Sequence, residues 1–437
     1  MKTKMLLAGC VLLLSGLAAA VVPVLVAKVP APRRASGYDW PQFRGPHRDN
    51  ISRETGLLKS WPQGGPKLLW TSEDAGIGYS GPAVVGDRIY TMGGDEKNDF
   101  VIALDAKSGK KVWSTPIGAY VRNNYGSGPR STPTVDGDRL YALSSAGQLA
   151  CLKTATGEKV WSASLTSDLG GGRPNWNYCE SPLVDGGHVV CTPGGARGTP
   201  AALDKNTGKV IWRSTELKDP AGYSSIVPAA VGGVPQYVQQ TMKGIAGVAA
   251  KDGRLLWYHR QPKYKVAVIP TPIVSDNLVY ATAGYGAGDV LLRLTPGADG
   301  TRAEQLYDET AQGVMDDKHE GVVLVGDHVY GWSDKGGWTC QELKTGKKVW
   351  QSNKLGRGSL VSADGMLYCY GEKDGTAVLV EATPEGWQEK GRFTIPRHTQ
   401  RREYNSNIWT HPVIANGRLY LRDQELIFCY DVKSGGS

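Results

Sequence analysis

Apolar and polar residues alternate along this chain in short runs, and the runs recur. One unit opens on a small residue, usually followed by proline, and passes through a few apolar positions. It turns at Gly-Asp or a similar pair, then resumes with an apolar residue and Tyr. Residues 81–90 read GPAVVGDRIY, 132–141 TPTVDGDRLY, 181–190 SPLVDGGHVV, 271–280 TPIVSDNLVY, 321–330 GVVLVGDHVY, 359–368 SLVSADGMLY and 411–420 HPVIANGRLY. A weaker copy over 228–238 makes eight units, with a period of about 47 residues. Alternation of period two, broken by glycine turns, describes strands paired in hairpins, because glycine adopts the φ > 0 conformation such turns need.

A second signature follows downstream. The sequences ending in Gly109, Gly157, Gly208, Gly253 and Gly346 are each followed, four residues on, by Trp113, Trp161, Trp212, Trp257 and Trp350. A large aromatic at fixed phase in a repeated sheet is expected to pack between neighbouring sheets. Each unit therefore supplies four short strands, A to D from the inside outwards. The fold expected is all-β: an eight-bladed β-propeller of four-stranded antiparallel blades. The last unit, ending near residues 430–435, lacks an outer strand, and GPKLLW at 65–70 carries the matching pattern. The N-terminal strand is expected to complete the last blade. A solenoid would need polar caps instead.

Composition narrows the picture further. The chain has 57 Gly, 20 Tyr and 13 Trp but only 4 Phe, which disfavours helical bundles and coiled coils. A net charge of +8 over 437 residues does not point to nucleic acid. The first four residues are short and basic, and residues 5–27 are uncharged and mostly apolar. Residues 1–27 thus read as a signal peptide or N-terminal anchor and 28–37 as a Pro- and Arg-rich linker, with the propeller over 38–437. Cys10 stands in a lipobox-like context. The other six cysteines are never adjacent and form no CxxC, so they read as buried free thiols within strands.

The repeats TPxV-(D/G)GD-xxY and LDxxTGxxxW, with the opening Asp39-Trp40-Pro41-Gln42-Phe43-Arg44-Gly45-Pro46, resemble the pyrroloquinoline-quinone (PQQ) propeller superfamily. The resemblance covers about residues 38–434 and implies the propeller fold. One branch, the quinoprotein alcohol dehydrogenases, holds PQQ and calcium in the channel, with PQQ against a disulfide of adjacent cysteines; no adjacent pair exists here. The other, the propeller lipoprotein of the outer-membrane β-barrel assembly machinery, binds protein partners without a cofactor.

In a propeller the A–B and C–D turns share one face, and the D–A connections surround the channel mouth on the other. The repeated turns therefore mark a structural face. The D–A connections differ from unit to unit, as a specific site requires. They place Arg130, Trp176, Glu180, Glu320, Arg357, Trp409 and His411 around one mouth, as a ligand pocket or as a polar network plugging the channel. Asp316, Asp317, His319 and Glu320 form either a cation site or a solvated acidic turn. Glu180 with Asn177 is a weaker candidate for calcium beneath PQQ. Residues 397–402 (RHTQRR) form a basic patch expected to be solvated. No catalytic motif is placed credibly. The reading is an exported, non-catalytic binding or scaffold protein of the periplasm or cell envelope, monomeric and without a cofactor. It would take a protein partner or a small channel ligand, and touch the membrane only through its N-terminal segment. The alternative is a PQQ-dependent alcohol or sugar dehydrogenase using PQQ with calcium.

Overall fold

The two repeat signatures meet in space, and their meeting builds the ring. The structure, a computed structural model, describes residues 37–297, 300–308, 314–319 and 321–435. Among these there is no helix. Eight sheets follow the eight units, blade 1 comprising Ala83–Val85, Arg88–Gly94, Asn98–Asp105 and Lys111–Ala119. The Tyr of strand B lies against the Trp of strand D, with Tyr90 and Trp113 centroids 6.0 Å apart and Tyr141 and Trp161 likewise. Both then reach the following blade at a single carbonyl. Tyr90 Oη and Trp113 Nε1 donate to Thr154 O, and Tyr141 Oη and Trp161 Nε1 to Lys205 O. Trp212 Nε1 donates in the same way to Ala250 O and Trp350 Nε1 to Thr383 O.

A bulge immediately before the Trp aims it outward, as between Lys159 and Trp161. The next blade receives the indole at its Thr-Gly turn. At Gly208 a Cβ would stand 2.6 Å from the Trp161 ring, and φ is +73°. Glycine is needed there both for the turn and for the indole's approach. Trp257 departs from the scheme: its Nε1 turns to Gln236 Oε1 of its own blade.

The last blade, Val413–Ala415, Arg418–Asp423 and Leu426–Asp431, takes Lys67–Ser72 as its outer strand, with Lys67 opposite Asp431. Trp70 Nε1 then donates to Ala106 O of blade 1, so the closing strand reproduces the inter-blade contact. Arg422 adds a second clasp across this seam. Fully buried, it donates to Ser80 O, Met92 O and Ala75 O.

The departure from sequence expectation lies in the channel. Residues 38–58, assigned there no role beyond a resemblance, cross it. Trp40 exchanges both backbone bonds with Val84 of blade 1, and Pro41 O accepts from Val135 N of blade 2. Arg48 donates to Ser181 O and Pro182 O of blade 3 and Ile226 O of blade 4. Arg44 reaches Val322 O of blade 6, and Asn50 Nδ2 reaches Leu360 O of blade 7. Ile51–Ser52 pairs in parallel with Gly358–Ala363, giving blade 7 a fifth strand. Glu54 accepts from Gly417 N of blade 8. Arg44, Arg48 and Asn50 all have positive φ, a strained conformation that these bonds hold in place.

The six cysteines of the described residues are free, and five are buried. The leader and nearly all of the linker lie outside the described residues.

Candidate functional site

Strand alternation decides which residues of each D–A connection face the axis. Arg130 and Thr132 line the central cup, as do Tyr223 and Ser225, His319 and Gly321, and Trp409 and His411. Of the described residues between them, Ser131, Ser224 and Thr410 are buried behind the wall. The cup encloses about 190 Å³. Trp40, Phe43, Arg44 and Asn50 of the crossing segment close it below, and Tyr79, Tyr125, Trp176, Tyr223, Tyr285 and Trp409 wall it with rings.

The rings pack in two groups. Trp176 stacks on Tyr223 at 5.2 Å and 27° and meets Tyr125 at 5.8 Å. Trp409 lies 5.2 Å from Tyr79 and 5.4 Å from the His319 ring. Arg130 joins them, its guanidinium 4.7 Å above the Tyr79 ring and 5.7 Å from Trp409. Its Nη2 donates to Tyr125 O and Gly126 O, and its Nε to Trp176 O at 3.4 Å. Below the rings, hydroxyls form a girdle from blade to blade. Thr132 N donates to Ser181 Oγ, Ser181 N to Ser225 Oγ, and Ser225 N to Thr271 Oγ1.

Of the residues expected at the mouth, Arg130, Trp176, Trp409 and His411 line the cup. Glu320 lies outside the described residues. Glu180 is not brought to the wall. Its neighbour Cys179 faces the cup, and Glu180 turns into blade 3, where Oε1 accepts from Thr192 N. Burial pushes its carboxyl up to about 7, against the opposing pull of the Thr192 bonds and Arg48. Arg357 stands outside the lining, paired with Asp334 at 2.8 Å and Glu372 at 3.6 Å.

The acidic turn at 316–317 is not solvated as expected. Asp316 and Asp317 are buried, Asp316 accepting from Gly286 N and Asp317 Oδ1 from His319 N. Among the described residues no group of three or more His, Cys, Asp and Glu is placed to hold a metal. The basic patch at 397–402 is largely paired, Arg397 with Glu73 and Arg402 with the buried Asp423.

Sequence reasoning missed the floor, whose residues fall before the first repeat. It also passed over Tyr79, Tyr125 and Tyr223, although tyrosine recurs in the very connections it singled out.

The fold makes PQQ the cofactor to test against these residues. The rings and Arg130 suit a flat anionic molecule. The calcium that accompanies it requires carboxylate oxygens, and the described lining supplies none. The donor set fits an aromatic anion and does not fit the metal.

A family model described as "Outer membrane protein assembly factor BamB" matches residues 97–352, more than half of the chain. The chain belongs to this family of PQQ-like propellers. Among curated proteins the propeller is 25% identical over 250 residues to the outer membrane protein assembly factor BamB of Yersinia pestis, covering 53% of this chain and 59% of that one. It is 35% identical over 129 residues to the quinohemoprotein alcohol dehydrogenase ADH IIB of Pseudomonas putida, covering 28% of this chain and 18% of that one. The matches thus span little more than half of the first relative and under a fifth of the second. Among solved structures, the quinohemoprotein alcohol dehydrogenase of Comamonas testosteroni superposes with a TM-score of 0.61 at 13% identity, over 91% of this chain and 81% of that one. BamB of Moraxella catarrhalis gives 0.53 at 17%, over 79% and 95%. At these identities the superpositions speak to the fold.

Proposed function

We propose that this chain is an exported, non-catalytic PQQ-like propeller that binds a ligand or partner at the cell envelope through its central cup. The observation that carries the reading is the cup itself: ring-walled, floored by the chain's own N-terminal segment, and different in every blade. A channel kept only for structure has no need of such a chamber. The carboxylates that could have served as a base or held calcium support binding over oxidation. Glu180, Asp316 and Asp317 are drawn into bonds with backbone amides. The apolar leader over residues 5–27 supports export, and relatives named as outer-membrane assembly factors support a place at the envelope with protein partners.

The dehydrogenase reading has the quinohemoprotein relatives in its favour. The test is to mix the purified protein with PQQ and calcium, then follow quinone absorbance and dye-linked alcohol oxidation. No turnover is expected. Saturable quinone binding with turnover overturns the non-catalytic reading. A pull-down from envelope fractions, compared with a Trp176→Ala variant, tests the partner.

A further inference from the structure

A second cleft opens off the axis, between the connections that enter blades 2 and 8. Arg122, Asn123, Asn124 and Ser127 form one wall and Glu403, Tyr404 and Asn405 the other, around about 340 Å³. None of these seven residues lines the cup. The volume falls within the size of small-molecule sites, about 300–1,000 Å³.

Both walls are fixed by their own bonds. Asn123 Oδ1 accepts from Tyr125 N, and Ser127 Oγ accepts from Asn123 N. On the other side Glu403 O accepts from both the backbone N and the Oγ of Ser406. The walls are also joined twice. The buried Ser127 donates from Oγ to Glu403 Oε1 at 2.6 Å. Glu96 of blade 1 pairs with Arg122 at 2.9 Å and with Arg401 at 3.8 Å. The cleft therefore has its shape before any ligand arrives.

The groups left over define the guest. Asn124 and Asn405 are exposed, and their side chains bond no described residue. Each amide offers an acceptor and a donor side by side. Glu403 Oε2 is buried without a partner, and the Tyr404 side chain is wholly exposed. The lining holds one carboxylate and one guanidinium, and the guanidinium is already paired with Glu96. An acidic guest would meet Glu403, and a cationic one would meet Arg122 and Arg401. An apolar guest would find no aliphatic side chain in the lining. A sugar fits on every count. Its hydroxyls both donate and accept, as the amides do, and one can donate to Glu403 Oε2. Its C–H face can lie on the Tyr404 ring, which pairs an apolar body with a polar tip.

We propose that this cleft binds a neutral saccharide, stacked on Tyr404 and held through its hydroxyls by Asn124, Asn405 and Glu403. It is a second site, independent of the binding reading for the cup.

The test titrates the full chain with maltotriose and chitotriose, both neutral and built of pyranose rings. Three foils accompany them: sorbitol, which has hydroxyls and no ring, trigalacturonate, which is acidic, and triglucosamine, which is chitotriose made cationic. Calorimetry reads affinity, and saturation-transfer NMR reads which sugar protons lie on an aromatic ring. At least one neutral trisaccharide should bind at millimolar concentration and more tightly than every foil. Tyr404→Ala should weaken it about fivefold, and Asn405→Ala about threefold. Neither side chain supports the fold, so both variants should melt with the wild type. Failure of both neutral trisaccharides to bind overturns the inference, as does a foil that binds as tightly. Saccharide binding indifferent to Tyr404→Ala and Asn405→Ala also overturns it, since the sugar then lies elsewhere. Each of these results leaves the cup to be judged by the envelope pull-down, because Tyr404 and Asn405 do not line it.

Discussion

The circumference and the hub of this propeller hold it together in opposite ways. At the circumference one contact is repeated from blade to blade. An indole donates to a carbonyl of the next blade, as for Trp70, Trp113, Trp161, Trp212 and Trp350, and the first four of these lie over a glycine turn. At the hub a single segment reaches blade after blade, and each of its contacts occurs once. A repeated contact spreads stability in nearest-neighbour increments. A unique one concentrates it, and Arg48 is its sharpest instance. Completely buried, its guanidinium bonds Ser181 O, Pro182 O, Ile226 O and Gln42 Oε1.

Arg48→Met is therefore the largest expected effect. It strands carbonyls of two blades and the Gln42 amide in the channel, at a cost of roughly 3–5 kcal/mol in denaturant unfolding. It should also disturb the cup floor, because the lost guanidinium bonds anchor the turn whose Arg48 carbonyl accepts from Arg44 Nε. At the circumference, Trp212→Ala removes a buried ring stacked on Tyr237, and about 3 kcal/mol is expected. The cup should survive that change, so ligand or partner binding should be retained in Trp212→Ala and lost in Arg48→Met. If both variants lose binding equally, hub and circumference are one cooperative unit and the contrast fails. Gly208→Ala is smaller, about 1–3 kcal/mol, from the positive φ and the crowding against Trp161.

The same contrast explains what the sequence made legible. The circumference is periodic, so Trp four residues after Gly was visible five times over, and the strand at 67–72 declared itself by carrying the same pattern without a blade of its own. Hub contacts run from side chains to backbone carbonyls, which any sequence supplies, so nothing in residues 44–50 announces which strands they meet. The cup lies between these cases. Its rings were visible as tyrosines and tryptophans in the non-repeating connections. Which of them face inward depends on strand phase: Arg130, Trp409 and His411 point to the axis, and Glu180, one residue beyond Cys179, points away.

Glu180 also yields the smallest and most specific prediction, because it sits where hub and blade meet, under the influence of Arg48. Its folded pKa is raised above the value of a free carboxyl, to about 7. Between pH 4.5 and 7 the native state then binds more protons than the unfolded chain, so stability declines as pH rises through that window. Asp99, raised to about 6 by burial against the bonds from Ser145, acts in the same direction. Wild-type protein should lose stability on going from pH 5 to pH 8, and Glu180→Gln should flatten the slope without abolishing it, by about 1–3 kcal/mol at the alkaline end. Chemical unfolding at the two pH values, wild type against variant, measures this directly. A slope unchanged by Glu180→Gln would mean that the carboxylate is compensated by Arg48 in full. The hub would then be an ion-paired network extending into blade 3, no longer a set of independent bonds to carbonyls.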